Sequence, residues 1–396
     1  MGRFFGSNRF KFGLFGLNCS GGMTPSRAPE RWRADWKDIV KVAQLADEAG
    51  VEFLLPIAKW RGLGGEANMW GRSFETFTQA AALGALTRRV GVFVTAHISL
   101  ITPAFAAKAV ATIDHVTQGR AGLNIVCGWN PDEFRLHGIS LEGGDRYSRG
   151  LEWYRIYDKL LDGGPPFDWT SGTFDMRGLT TDPLPVQRPR PPVMSAAQSG
   201  DGQLFAAQVA DILFTAMYSF KQVAETTRRA QSSAAEFGRA CDIYVTTQFV
   251  CRPSRREAEE YAHYYAVEMA DPAALEYFAR QKTSTASTST KSRATAADKA
   301  VVAKLSGLQK AEYPGLFPAM YPIVGSPDDV IAEIERLAAL GIAGSTLVFL
   351  NYGDELPYFI QEVFPRMEKA GLRHHADDGD RAAGAPAEAA AVMRVG

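Results

Sequence analysis

The chain has 396 residues, a hydrophobic content of 46% and a formal net charge of −1 at pH 7. It can therefore bury a large core, and its charge balance gives no electrostatic footprint for nucleic acid. Four cysteines without a C-x-x-C spacing favour a reduced, cytoplasmic setting over a disulfide framework. No uncharged apolar stretch approaches the ~20 residues that a membrane helix needs, so we expect no membrane contact.

Short apolar segments alternate with amphipathic segments along the chain, which predicts strands separated by helices. Eight strands are expected at 10–17, 51–55, 90–95, 121–127, 192–196, 211–215, 243–250 and 345–350. Helices are expected at 32–49, 74–88, 103–116, 146–161, from 199 onward, and at 220–237, 255–270, 327–340 and 356–369. This count favours a (β/α)8 TIM barrel over an open doubly wound sheet, with functional groups at the carboxyl ends of the strands.

Two insertions interrupt the repeat. The first, at about 163–192, is rich in proline and glycine and is expected to hold a hairpin around 169–176. The second and longest, at about 278–320, precedes the last β/α unit. Its Ser/Thr-rich run at 282–293 is either a mobile loop or a lid whose Lys282, Lys291 or Arg293 meets an anion. We expect one domain over 1–372 and a disordered tail over 373–396.

Asn124 is the single polar residue inside the apolar fourth strand. A buried amide without a partner costs about 1–3 kcal/mol, so Asn124 should face a group that it can hydrogen-bond, such as a cofactor edge. A polar loop with Asp132 and Glu133 is expected to follow. Arg146 and Tyr147 then begin a helix and could be presented to an anion.

The loop after the second strand contains Gly62-x-Gly64-x-x-Ala67, a loose match to the dinucleotide-binding fingerprint. No helix opens directly after it, and no acidic residue lies at the ribose-reading distance of roughly 20 residues. We therefore favour a loop that bends over a flat ring rather than a nicotinamide site.

Thr95 and His97 stand at the expected end of the third strand. At this position in a barrel, a hydroxyl can donate to a bound ring or a reactive oxygen, and a histidine can act as a general acid or bind substrate. The alternatives are a threonine bonded to its own backbone and a structural histidine. No metal site is expected, because the sequence has no His-Glu-x-x-His motif or Cys/His cluster.

Ser199 is placed to cap the helix that follows the fifth strand. The amides of Ser199 and Gly200 could accept a phosphate there, with no bulky side chain in the way at the glycine. A plain helix cap explains Ser199 equally well. Only the pairing with Arg146 and Tyr147 from the neighbouring unit favours phosphate.

Four motifs together resemble the bacterial luciferase-like flavin-dependent monooxygenase family, in the branch of pyrimidine oxygenase, dimethyl sulfone monooxygenase and alkanesulfonate monooxygenase. They are IAKWRGLGG at 57–65, ATIDHVTQGR at 111–120, NIVCGW at 124–129 and AQSG at 197–200. The resemblance extends over about 10–367. It implies a TIM barrel with an insertion before the last unit.

The resemblance also implies chemistry and partners. A separate NAD(P)H:flavin reductase would supply reduced FMN, which would react with O2 and then with a small organic substrate. Homo-oligomers are the habit of the family. Carried over by motif, Ile57 and Ala58 would line the ring, Asn124 and Glu133 would bond to flavin, and Arg146, Tyr147, Ser199 and Gly200 would hold the ribityl or phosphate group.

Thr95 and Asn124 match residues that support oxygen at the flavin N5 in the pyrimidine enzyme, which implies an N5-peroxide as oxidant. His97 and the segment 18–22 depart from that enzyme, so uracil is not carried over as substrate. Two other functions stay open from the sequence. One is a deazaflavin (F420)-dependent hydride-transfer oxidoreductase on the same barrel, and the other is a flavin-binding protein without turnover.

Overall fold

The core of the fold is a closed barrel of parallel strands. The computed structural model describes residues 6–128, 131–139, 146–288, 316 and 320–374. Within these ranges, the eight barrel strands are β1 (Lys11–Phe15), β2 (Phe53–Leu55), β3 (Gly91–His97), β4 (Ala121–Val126), β7 (Val193–Ala196), β8 (Ile212–Ala216), β9 (Asp242–Cys251) and β11 (Gly344–Leu347). Three further strands of the described residues lie outside the ring. They are the hairpin strands β5 (Phe167–Thr170) and β6 (Asp175–Leu179), and the added strand β10 (Tyr321–Gly325). Neighbouring strands pair around the ring, and β9–β11 and β11–β1 pairs close it. The predicted (β/α)8 barrel is confirmed.

Helices surround this barrel. They are α1 (Trp36–Glu48), α2 (Thr76–Leu86), α3 (Pro103–Val116), α4 (Pro131–Leu136), α5 (Arg146–Leu161), α6 (Gly200–Val209), α7 (Phe220–Glu236), α8 (Arg255–His263), α9 (Pro272–Thr288), α10 (Pro327–Ala339) and α11 (Tyr352–Lys369). Several begin at a hydroxyl residue whose side chain accepts a hydrogen bond from an amide of the first turn, which fixes where the helix starts. These caps are Thr102, Ser199, Ser219, Ser254 and Ser326. None of the helices in the described ranges is long and apolar enough to cross a membrane.

Aromatic rings fill the interior of the barrel. The ring centroid of Phe53 lies 5.5 Å from that of Phe93 and 5.6 Å from that of Tyr244. A Cβ atom on Gly13 or Gly122 would overlap the Phe53 and Phe93 rings, so glycine is needed at both positions. This packing plugs the barrel below the carboxyl ends of its strands, where the polar side chains lie.

Several boundaries differ from the sequence prediction. The third strand was predicted to end at residue 95, but β3 continues to His97 because Ala96 and His97 still pair with β4. Asp132 and Glu133 lie in the helix α4 rather than in a loop. The predicted helix 255–270 is α8 followed by a π-helical turn at Tyr264–Glu268.

The two insertions also take definite forms. The predicted hairpin is present, as β5 and β6 pair in antiparallel fashion. In the second insertion, α9 extends to Thr288, so 282–288 is helical rather than irregular, whereas Lys291 and Arg293 lie outside the described residues. The strand β10 pairs with residues 247–251 of β9 and was not predicted. Pro322 argues against a central strand, but an edge strand accepts proline.

The predicted disordered tail starts too early. Arg373 is buried, and its guanidinium donates to the carbonyl oxygens of Ala49 and Gly50 at the end of α1 and lies over the ring of Phe364. Cation contact with the last carbonyls of a helix is favourable, which explains why this residue packs against the barrel. Residues 375–396 lie outside the described residues.

Candidate active site

Thr95 and Asn124 are paired neighbours at the carboxyl ends of β3 and β4. The Nδ2 amide of Asn124 donates to Oγ1 of Thr95 at 3.1 Å, and this hydroxyl donates to the carbonyl oxygen of Pro56 at 2.6 Å. Both side chains are buried. The threonine is thus bonded across to the segment after β2 rather than to its own backbone, so three neighbouring strands are linked at this level.

The Oδ1 atom of Asn124 is buried and has no hydrogen-bond partner. The single hydroxyl proton of Thr95 goes to Pro56, so Thr95 has to accept from the amide of Asn124, and this fixes which way the carboxamide points. A buried acceptor left unpaired costs about 1–3 kcal/mol. A ligand with an N–H or O–H group beside Oδ1 would remove that cost.

Asn18 holds the loop after β2 in place. Its Nδ2 atom donates to the carbonyl oxygens of Ile57 and Phe74, and its Oδ1 atom accepts from the amide of Ile57 at 2.8 Å. The Asn18 side chain thus supplies the two backbone hydrogen bonds that a neighbouring strand would otherwise make with Ile57. Ile57 and Ala58 remain half-buried, so this loop offers a fixed apolar wall beside Thr95.

Glu133 forms a buried ion pair with Lys59. The Nζ atom of Lys59 lies 2.9 Å from Oε2 of Glu133, and both side chains are at most 4% exposed. The other carboxylate oxygen accepts from the backbone amide of Trp60. Both oxygens of the predicted flavin contact are therefore occupied by protein donors, and the pair fastens α4 to the loop after β2.

His97 is a neutral, buried imidazole. Burial lowers its pKa to about 4, since desolvation penalises the charged form. Its Nε2 atom lies 3.3 Å from the carbonyl oxygen of Ala58, its Nδ1 atom has no partner, and its ring meets Phe134 edge-on. At neutral pH this residue can exchange hydrogen bonds with a ligand but cannot supply the proton of an imidazolium.

Arg146, Tyr147 and Ser199 come together at the start of α6. The Oη atom of Tyr147 lies 2.8 Å from Oγ of Ser199, and Arg146 donates to both Tyr147 and the carbonyl oxygen of Gly128. A Cβ atom on Gly202 would lie 2.8 Å from the Tyr147 hydroxyl, so glycine permits this approach. The prediction that these residues meet is supported by this geometry, and Ser199 also serves as the plain helix cap.

This corner has the properties of an anion site. A helix N-terminus presents backbone amides and a positive dipole end, and the Arg146 guanidinium adds a full charge. Gly200 is the first residue of α6 and carries no Cβ that would block the approach. Because Arg146 also bonds to Gly128, just beyond β4, the corner adjoins the strand that carries Asn124.

The side chains at this end of the barrel have the chemical character that a flat ring with a phosphate tail requires. An unpaired acceptor, an apolar wall and an anion corner lie on adjoining elements, and together they match the three parts of a flavin mononucleotide. Within the described residues, no group of three or more His, Cys, Asp or Glu side chains is placed to hold a metal ion.

Comparison with known proteins identifies the family of this chain. A family model described as luciferase-like monooxygenase matches residues 10–344. The chain belongs to this family. Among its relatives, an FMNH2-dependent dimethylsulfone monooxygenase from Pseudomonas putida is 28% identical over 369 residues, 91% of this chain and 95% of the relative. The pyrimidine monooxygenase RutA from Escherichia coli is 28% identical over 337 residues, 83% of this chain and 81% of the relative.

A solved structure shows the same fold. Riboflavin lyase RcaE, in a crystal structure with modified FMN and the substrate riboflavin, superposes with a TM-score of 0.80. Its identity to this chain is 20%, with 92% of this chain and 93% of that chain covered. At this identity the likeness establishes the barrel alone.

Two site residues of this luciferase-like monooxygenase were not found from the sequence. Asn18 was seen only as part of a segment that departs from the pyrimidine enzyme, and Lys59 only as part of a glycine-rich loop. Their partners lie 39 and 74 residues away along the chain. Asn18 directly follows the first predicted strand, and Lys59 lies in the loop after the second. Their position at the carboxyl ends of strands was the one available signal.

Proposed function

We propose that this luciferase-like monooxygenase takes reduced FMN from a separate NAD(P)H:flavin reductase and uses it with O2 to insert one oxygen atom into a small organic substrate. Its relative from Pseudomonas putida is FMNH2-dependent by name. The observation that carries the proposal in this chain is the unpaired Oδ1 atom of Asn124, held at the barrel mouth by Thr95.

When bound, reduced FMN supplies the two electrons that allow one atom of O2 to enter the substrate while the other leaves as water. Ile57 and Ala58 form the apolar wall for the ring. Asn124 offers an acceptor to an N–H group on the ring edge, and Thr95 orients that acceptor. The finer expectation, that oxygen is carried at the flavin N5, is part of this proposal, and substitution of Asn124 tests it.

Arg146, Tyr147, Ser199 and Gly200 hold the phosphate end in this proposal. Their roles are to bind and orient, since an arginine and a helix start recognise an anion without taking part in the chemistry. Glu133 acts through its pair with Lys59, which fixes the loop that contains the apolar wall. His97, neutral beside Ala58, offers its unpaired Nδ1 atom to a ligand on the same side.

The proposed assembly is a homo-oligomer formed through α2 and α3. Phe105 on α3 is 53% exposed, Leu86 on α2 is 46% exposed and Val116 on α3 is 44% exposed. In the proposed assembly a second copy of the chain would cover these side chains and remove them from water. Sedimentation velocity of the protein and of a Phe105→Glu variant tests this, because the charged variant should shift the species toward the monomer.

Labelled oxygen tests the proposed reaction. The protein, FMN, NADH and a flavin reductase are incubated under 18O2 with a panel of small neutral organic compounds, and the products are analysed by mass spectrometry. One 18O atom in a product supports the function. Turnover with reduced F420 in the absence of O2 would instead identify a hydride-transfer enzyme, and tight FMN binding without substrate-stimulated O2 uptake would identify a flavin-binding protein.

A further inference from the structure

A second polar wall lies inside the barrel, on β9 and β11. Gln248 on β9 and Thr346 on β11 are fully buried, and the Oε1 atom of Gln248 and the Oγ1 atom of Thr346 have no hydrogen-bond partner. Each unpaired buried polar atom is costly. Neither residue has a part in the flavin contacts described above.

Both side chains point into the barrel. Alternate residues of a strand face the same side, and Gln248 lies two positions beyond Thr246 and four beyond Tyr244, whose ring packs on Phe53 inside the barrel. Thr346 pairs with Thr246 and with Gly13, and Gly13 faces the same interior ring. In-register residues of parallel neighbours face the same way, so Thr346 points inward as well.

This wall stands opposite the Thr95 and Asn124 pair. In the ring of eight strands, β9 lies four strands away from β3, and β11 lies four strands away from β4, so each pair stands on opposite sides of the barrel. The registers run from Thr95 through β4, β7 and β8 to Asp242. A barrel of this type has a shear of about eight residues, so the hydrogen-bonded register is offset along the barrel axis by about four residues over half the circuit. The residue of β9 at the same height as Thr95 is therefore Thr246, four residues beyond Asp242.

The orientation of the Gln248 carboxamide follows from its neighbours. The hydroxyl of Thr24 donates to the carbonyl oxygen of Gly22, so it can only accept from Gln248, whose Nε2 atom lies 2.6 Å away. The Tyr265 hydroxyl lies 3.4 Å from the same Nε2 atom. Both donors of the amide are therefore directed toward Thr24 and Tyr265, and Oε1 is the atom left for a ligand.

We propose that Gln248 and Thr346 bind the substrate and select a neutral molecule with an N–H donor beside an acceptor, as in an amide or lactam. Gln248 Oε1 accepts from the N–H group, and Thr346 Oγ1 donates to the neighbouring oxygen. Sulfonates, carboxylates and sulfones carry acceptors alone and leave Oε1 unpaired, so the site disfavours them. This assignment rests on the proposed function, because it places the substrate across the barrel from Asn124.

Binding of matched small probes tests the inference. Isothermal titration and saturation-transfer NMR are carried out on the FMN-loaded full chain with 2-pyrrolidone, N-methyl-2-pyrrolidone, dimethylsulfone and methanesulfonate. The lactam with a free N–H should bind at least about tenfold more tightly than its N-methyl derivative, since one hydrogen bond to a buried acceptor is at stake. Gln248→Met should remove that preference, whereas Thr346→Val should weaken the binding of both lactams, because its hydroxyl donates to the carbonyl oxygen that they share.

Thr227→Val is the matched control. Its Oγ1 atom is also buried without a partner, but it lies on α7 outside the barrel, so its loss should leave probe binding unchanged. Thermal unfolding of every variant confirms that it is folded. Equal binding of the two lactams, tighter binding of methanesulfonate, failure of the lactam to bind, or equal effects of Thr227→Val and Thr346→Val would each overturn the assignment.

The two proposals fail separately in this design. FMN affinity and FMNH2-dependent O2 uptake are measured on the same samples as probe binding. Lactam selectivity without any oxygen incorporation would retain this subsite and reject the monooxygenase reaction. Oxygen incorporation into a sulfone, with no lactam selectivity, would retain the reaction and reject the subsite.

Discussion

The carboxamide of Asn124 is anchored by the hydroxyl of Thr95 at 3.1 Å, and its oxygen atom is left buried and unpaired. The hydroxyl is itself committed to the carbonyl of Pro56. One short chain of hydrogen bonds thus spans the segments at the ends of β2, β3 and β4 and orients one acceptor. Pre-organised polar groups of this kind act on a reacting ligand without having to rearrange.

Asn124→Ala should therefore reduce oxygenation far more than it reduces FMN affinity. We expect a loss of product yield of about 100-fold or more, the range for removing one oriented polar group from an active site, and a change in the FMN dissociation constant below about tenfold. Product analysis and fluorescence titration of FMN give the two numbers. An unchanged product yield would remove Asn124 from the mechanism.

Arg146→Ala should mainly weaken FMN affinity. Losing a charge-assisted contact with phosphate costs about 1.5–3 kcal/mol, so the dissociation constant should rise by about tenfold or more while the product formed per bound flavin stays similar. Arg155→Ala, at an exposed position further along α5, is the control and should bind FMN normally. If both variants bind FMN equally well, the phosphate assignment is wrong.

His97 predicts a loss of stability in acid. Burial lowers its native pKa to about 4, whereas the unfolded value is about 6.5. Between these values the unfolded chain binds a proton that the native protein does not, so stability falls as pH decreases through this window, by up to about 3 kcal/mol.

Urea unfolding between pH 4 and 7 tests this contribution. The difference in unfolding free energy between the protein and His97→Gln should grow with pH across the window and level off above it. His115→Gln, at an exposed histidine on α3, is the matched control for the loss of an imidazole. A His97→Gln profile parallel to that of the parent would show that this imidazole does not titrate below its usual range.

Removing one partner of the Lys59–Glu133 pair should lower the unfolding free energy strongly, whereas replacing both partners by apolar residues should lower it much less. Lys59→Met leaves a carboxylate in an interior where both partners are at most 4% exposed, which typically costs about 3–5 kcal/mol. The double variant Lys59→Met/Glu133→Leu should regain much of that loss. Arg135→Ala, which breaks an exposed pair with Asp132 on the same helix, should cost under about 1 kcal/mol. A Lys59→Met variant as stable as Arg135→Ala contradicts this.

The alternation of apolar and amphipathic segments was enough to predict the barrel. Sequence periodicity and helix-start signals are local, so the eight barrel strands and the start of α6 at Ser199 were predicted within a few residues. Asn124 was also found locally, because one amide in an apolar strand is conspicuous. Its partner Thr95 was identified separately, at the end of another strand.

The remaining parts of the site depend on contacts between distant residues. Neither the bond from Asn18 to Ile57 nor the pair of Lys59 with Glu133 leaves a periodic signal. The predicted role of Glu133 came from resemblance, and the structure instead gives its carboxylate two protein donors. The strand β10 was missed because it contains Pro322, which argues against a strand in the middle of a sheet. The structure places β10 at an edge, paired only with β9 among the described strands, where proline is accepted.

Asp271 joins two parts of the mouth that are far apart in sequence. Its carboxylate accepts from the amides of Ala273 and Ala274 at the start of α9, and also from the amide of Ala67 in the glycine-rich loop after β2. This one carboxylate therefore fixes the start of α9 against the loop that continues from Ile57 and Ala58.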